Sequence, residues 1–184
     1  GLKIRVQETQ VYLRLINSMG GSPTPVAWTE TYTALQTKVV DGQENPISSI
    51  VFAKLYEVQK YLTLDGHVYG VDWFVINEKF FQSLDKDLQE IVKEAAKISA
   101  MVGRGMQQLL SSTGLETCQK AGMEIYQPTT AEMAQFKATT QQPVIDWLKT
   151  QVDPNLINEL LKTVDEPRGA ARAGRALGAW QDAP

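Results

Sequence analysis

A single cysteine, Cys118, and a single histidine, His67, occur in 184 residues. One cysteine excludes an internal disulfide, and one thiol with one imidazole falls short of the four-ligand sets that hold structural zinc. A Ser–His–Asp triad has only His67 to draw on, and no Gly-x-Ser-x-Gly elbow accompanies it. No glycine-rich phosphate cradle is present. Long hydrophobic runs are missing as well: none reaches the length of a membrane-spanning helix, and no charged-then-apolar leader opens the chain. Nor is there an excess of one charge, since a net charge of −3 gives no electrostatic footprint for nucleic acid or an anionic membrane. What is present, 43% hydrophobic and 21% charged residues, suits a globular chain with room for one domain, or one and part of another. The composition points to neither an enzyme nor a cofactor protein.

The apolar pattern organises the chain. Alternation in Leu2-Lys-Ile-Arg-Val6 predicts a short strand. Val11, Leu15, Ile16 and Met19 recur at helical spacing, and Gly20-Gly21 closes that helix. Thr24–Trp28 reads as a second strand, Thr29 as the N-cap of a helix through Val40, and Pro46–Gln59 as a further helix. Extended pieces follow at Tyr61–Leu64 and Val68–Asn77. Apolar positions from Leu88 to Leu109 step by three or four, which predicts one very long helix over 85–121, bent near Gly103 and Gly105. Met123–Gln127 reads as a strand, Thr129 with Glu132 as a capping box, Pro143 as a break or kink, and Pro154 as the start of a last helix to about Val164. The alternation of strands and helices argues for an α/β fold. Cys118 reads as a small buried apolar residue on a helix face.

One stretch carries more than periodicity. Val40-Asp-Gly-Gln-Glu-Asn-Pro46 sets three polar side chains between a helix-stopping glycine and a helix-starting proline, so that a turn anchored at both ends can hold hydrogen-bonding groups towards a ligand. With it stand Gly1-Leu-Lys-Ile-Arg-Val6, Pro23-Thr-Pro-Val-Ala-Trp-Thr-Glu-Thr-Tyr-Thr-Ala-Leu-Gln36 and Tyr56-Glu-Val-Gln-Lys-Tyr61. In wording, order and spacing these blocks, from Gly1 to Phe81, resemble the periplasmic solute-binding receptors of TRAP transporters, the family named for C4-dicarboxylate uptake. Weaker likeness continues to about Leu161.

The resemblance implies an α/β fold of the type II periplasmic binding protein kind, in which two lobes close over a ligand. Residues 1–70 and 111–165 would belong to the second lobe, residues 71–110 would be a strand and helix lent to the first, and 166–184 would form a basic Ala/Gly-rich tail. Most of the first lobe would lie upstream of Gly1. The implied function is periplasmic capture of an organic acid and its delivery to TRAP membrane permease subunits. By the same resemblance Arg5 pairs two-pronged with a ligand carboxylate, for which a planar guanidinium is suited. Asn45 orients a hydroxy or keto acid, or else caps the helix that starts at Pro46. Trp28 walls the cleft, or else packs in the core. Glu8 accepts from ligand hydroxyls. Asp72 with Gln43 is the pair that some relatives use at a metal, although two protein oxygens are too few for calcium. His67 reads as a structural loop residue. Val71–Ile76 is almost continuously apolar, which suits a strand buried on both faces; without its lobe it predicts self-association by segment exchange. The competing reading is therefore a self-associating fragment of such a receptor that binds no small molecule of its own.

Overall fold

The computed structural model describes residues 1–165, and the expected basic tail, 166–184, lies outside the described residues. Strand β1 (Lys3–Val6) is the middle of a three-stranded parallel sheet, between β2 (Ser22–Pro25) and β3 (Gly42–Gln43). Its register sets Arg5 opposite Thr24 on one side and Gln43 on the other. Helix α1 (Gln10–Ser18) crosses over from β1 to β2, capped by Thr9 Oγ1, which accepts from the Tyr12 N–H. The expected glycine stop is present: Gly20 takes φ +78° and the Gly21 N–H donates to the Ile16 carbonyl at 3.0 Å. Gly21 is also held to glycine by packing, because a Cβ there would lie 2.8 Å from Ile16 Cγ2.

The segment from Thr29 to Gln59 is more broken than its periodicity predicts. Instead of one helix from Thr29 to Val40, a 3-10 turn at Trp28–Glu30 leads into a short α2 (Thr31–Gln36), and Lys38 follows at φ +60°. Gly42 does not stop a helix; it pairs with Ile4 in β3, where a Cβ would lie 3.1 Å from Ile4 Cδ1. The second expected strand, Thr24–Trp28, sits earlier, at Ser22–Pro25, since Trp28 is already in the 3-10 turn. The expected helix Pro46–Gln59 divides into α3 (Ile47–Phe52) and a 3-10 turn at Leu55–Glu57, separated by Lys54 at φ +53°. The break lets Leu55 turn inward, where it is completely buried.

Beyond these lie β4 (Tyr61–Thr63), α4 (Glu78–Ser83), α5 (Lys86–Lys120), β5 (Glu124–Tyr126), α6 (Thr130–Gln151) and α7 (Pro154–Asp165). β4 and β5 form a second, two-stranded parallel sheet. Helix α5 runs 35 residues without interruption through Gly103 and Gly105, and α6 likewise passes through Pro143. The capping box holds as read: the Glu132 N–H donates to Thr129 Oγ1, and Glu132 Oε2 accepts from the Thr129 N–H at 2.7 Å.

One core joins the C-terminal part of α5 to the α2–α3 region: Ala34, Leu35, Val40, Ile50, Leu55, Cys118 and Met123. Cys118 is fully buried there, as its helix position implied. Gly114 lets α3 approach α5, and Gln107 Nε2 adds a hydrogen bond to Ser48 Oγ at 2.8 Å. Between Leu55 and Gly114 the only buried residue is Gln89. The strand expected at Val71–Ile76, within the extended piece Val68–Asn77, does not form: the segment has no regular structure and leaves Trp73, Phe74 and Val75 exposed. A strand needs a neighbour for its backbone groups, and no described strand pairs with this segment.

Candidate functional site

Parallel sheets place ligands beyond the carboxyl ends of their strands. At that end of β1 and β2 is a cleft of about 290 Å³, lined by Arg5, Gln7, Glu8, Pro25, Val26 and Trp28 among others. Arg5 forms its floor. Only 1% of the residue is exposed, and its Nε donates to the Val26 carbonyl at 3.0 Å. Nη1 is buried without a hydrogen-bond partner among the described residues. A buried donor on a cation is costly to leave unpaired, so this guanidinium is prepared for an acceptor. Burial lowers the Arg5 pKa from its ordinary value, and the charge of Glu44 works in the opposite direction.

The Trp28 ring lies beside this cation, its centroid 5.6 Å from Arg5 Cζ. Trp28 is 39% exposed, so it forms a wall of the cleft and not part of the core. Glu8 stands at the rim. Gln43 is next to Arg5 by strand register, and Asn45 Nδ2 donates to Gln43 Oε1 at 2.6 Å. The cap of α3 is Pro46, without a side-chain cap bond, so Asn45 braces the turn and does not cap the helix. This pairing leaves the Asn45 oxygen and the Gln43 amide nitrogen as the acceptor and donor that the turn can still offer. Neither Gln43 nor Asn45 is among the residues lining the cleft, and nor is Asp72, which lies in the exposed 64–77 segment. Among the described residues no group of three His, Cys, Asp or Glu could hold a metal ion.

A larger cavity, about 600 Å³, lies between α1 and α6 and is lined mainly by apolar side chains such as Val11, Leu15, Met133, Phe136 and Val144. Asp65, His67 and Lys137 also border it, but the smaller cleft holds the buried Arg5 with its unpaired Nη1 and is the better candidate site.

Comparison with known proteins gives the family and the fold. Residues 1–150 match the family model for bacterial extracellular solute-binding proteins, family 7. The chain belongs to that family. It is 31% identical over 157 residues to the C4-dicarboxylate-binding periplasmic protein DctP of Rhodobacter capsulatus, covering 85% of this chain and 47% of that protein. A TRAP periplasmic solute-binding protein from Desulfovibrio salexigens, with bound orotic acid, superposes with a TM-score of 0.80 at 27% identity, covering 88% of this chain and 53% of that one. One from Actinobacillus succinogenes, with bound L-galactonate, gives 0.80 at 29% identity, covering 89% and 53%. The chain thus spans about half the length of the relatives it matches. Those relatives are solute-binding proteins and not enzymes.

The sequence reading passed over one cluster beside this site. His67 Nδ1 lies 2.8 Å from Asp65 Oδ1, and Nε2 lies 3.5 Å from Glu44 Oε2, within the turn that carries Gln43 and Asn45. The second distance is an ion pair without an aligned hydrogen bond, so Nε2 is buried and otherwise unpartnered among the described residues. Burial alone would lower the imidazole pKa, but the hydrogen bond to Asp65 and the close approach of Glu44, with the charges of both, raise it to about 9. A His two residues from an Asp was visible in the sequence; its meeting with Glu44, 23 positions away, was not.

Proposed function

We propose that this chain is the acid-recognising part of a periplasmic TRAP receptor, which binds an organic acid at Arg5 and passes it to membrane permease subunits. The observation that carries this reading is the buried Arg5 guanidinium with an unpaired Nη1 at the carboxyl end of a parallel sheet. A ligand carboxylate would pair with Arg5, while Asn45 and Gln43 fix a neighbouring hydroxyl or keto oxygen. Trp28 would pack against the carbon skeleton, and Glu8 would accept from hydroxyls further out. Relatives with orotic acid and L-galactonate bound, and one named for C4-dicarboxylates, support an acid as the ligand class. The proposed metal role of Asp72 with Gln43 gains no support from the exposed position of Asp72.

Residues 71–110 suit a segment lent to another lobe: they bury only Gln89 and expose Trp73, Phe74, Ile91, Ile98 and Met106. Residues 1–70 and 111–165 carry both sheets and the apolar core, as one lobe would. Two-lobed closure supplies much of a receptor's affinity, so this chain alone would bind weakly. The same exposed surface favours a second reading, a self-associating piece of a receptor without ligand binding. No helix among the described residues is long and apolar enough to cross a membrane.

The test is a thermal-shift panel of succinate, L-galactonate and orotate, with Arg5→Ala as control. A ligand-dependent rise in melting temperature that vanishes in Arg5→Ala supports the acid receptor. No shift with any acid, from a chain that melts cooperatively, favours the second reading.

A further inference from the structure

The charges that line the cleft at Arg5 are few. Among the described residues Arg5 is the one cationic side chain in its lining, and Glu8 the one anionic side chain. Glu8 stands three positions beyond Arg5, so their Cα atoms lie within about 11 Å of each other. Its backbone is fixed from both sides. The Thr9 N–H donates to the Gln7 carbonyl at 2.7 Å, which closes a tight turn centred on Glu8, and Thr9 then caps α1. Glu8 is exposed and forms no ion pair with a described residue. A cation at the floor and a free anion at the rim make this side of the cleft bipolar.

We propose that Glu8 is a specificity-determining residue: it sets this side of the cleft for a hydroxylated monocarboxylate and against a dicarboxylate. The inference rests on the acid-receptor reading and names the class of acid. One ligand carboxylate pairs with Arg5, and the rest of the molecule extends towards the rim. A hydroxyl that reaches Glu8 donates to a charged acceptor, the stronger kind of hydrogen bond. A second carboxylate arriving there meets a like charge and finds no second cation in the lining. Near a protein surface, two like charges a few ångströms apart weaken binding roughly tenfold or more. The repulsion acts through charge and not through shape, so an uncharged side chain of the same size relieves it. It also weakens with salt, since the screening length falls from about 10 Å at 0.1 M to about 3 Å at 1 M. Glu8 has a structural use as well: α1 has no acidic residue in its first turn, and a negative charge just ahead of the cap suits the helix dipole. That use bears on stability and is indifferent to which acid binds.

The test is an NMR titration of the intact 184-residue chain, which reaches weak binding, with L-galactonate, succinate and monomethyl succinate. Monomethyl succinate keeps the succinate skeleton and lacks one charge. Wild type is expected to bind it about tenfold more tightly than succinate at low salt, and the preference to shrink at 1 M salt. In Glu8→Gln the two are expected to bind alike, while L-galactonate binds several-fold more weakly than to wild type. Glu8→Lys, which reverses the charge, is expected to favour succinate over its monoester. Succinate binding wild type as tightly as its monoester overturns the proposal, and so does a preference that neither substitution moves. A loss of stability in urea with an unchanged preference makes Glu8 a helix-terminal charge and refutes the proposal likewise. If the wild type binds none of the probes, the acid-receptor reading itself fails and takes the role of Glu8 with it.

Discussion

Replacing Arg5 by methionine separates the cost of the site from its use. The side chain is 1% exposed and makes one hydrogen bond, Nε to the Val26 carbonyl at 3.0 Å, with Trp28 alongside at 5.6 Å. Losing that charge-assisted bond costs about 1.5–3 kcal/mol, and losing the cation–π contact about 0.5–1 kcal/mol. Against this, methionine removes a buried unsatisfied donor at Nη1, worth about 1–3 kcal/mol, and relieves the desolvation of a cation, which is often enough to make such replacements neutral or stabilising. The terms nearly cancel. Unliganded Arg5→Met is therefore expected to unfold in urea within about 1 kcal/mol of wild type. A true core truncation such as Leu55→Ala, from a fully buried position, should cost about 2–5 kcal/mol. Binding should respond quite differently, since removing one member of a buried charge pair typically costs about 2–5 kcal/mol of affinity. The thermal shift with L-galactonate should disappear in Arg5→Met. A variant destabilised by 3 kcal/mol or more that still binds the acid as wild type does would refute the reasoning and make Arg5 a structural residue.

The folded-state pKa of His67 is raised from 6.5 to about 9, so its contribution to stability, about 3 kcal/mol at 1.36 kcal/mol per unit, is fully present below pH 6.5 and is lost as pH rises through 9. Urea unfolding of wild type against His67→Gln should show a gap that closes over that window; a constant gap would contradict it. At Gly114 a Cβ would meet Ile47 Cγ2 at 2.8 Å and Val51 Cγ2 at 3.2 Å. Gly114→Val should therefore destabilise by about 1–3 kcal/mol despite the helix propensity it gains. Ile47→Ala should recover part of that loss in the double variant, and strict additivity would count against the contact. The exposed apolar residues of 71–76 and α5 predict concentration-dependent self-association of the 184-residue chain. Light scattering that finds only a monomer at all concentrations would remove the second reading.

Local chemistry made several elements legible in advance. The Thr129–Glu132 capping box, the glycine stop at Gly20 and the long α5 follow from side-chain types within a few positions of one another. The Gln43–Glu44–Asn45 turn and Arg5 also stood out, because a block of unusual wording survives without knowledge of the fold. Failures gathered where distant parts decide. The predicted helix Pro46–Gln59 breaks at Lys54, which lets Leu55 reach a core shared with Cys118 and Met123. An apolar run at 71–76 was read as a strand, yet a strand exists only with a partner, and no described strand takes that place. Propensity cannot supply a neighbour.

By itself the sequence determined the family and the α/β class, and it showed a single histidine and no Gly-x-Ser-x-Gly elbow. These rest on residue identity and short-range spacing. Only the tertiary structure decided that Arg5 is buried with an unpaired Nη1, that Asn45 braces Gln43 instead of capping α3, and that His67 reaches Glu44. Each of those facts depends on how strands β1, β2 and β3 align and on where the chain returns after β4. Burial, pairing and shifted pKa values are properties of neighbours in space, and residues 23 positions apart become neighbours only when the chain has folded.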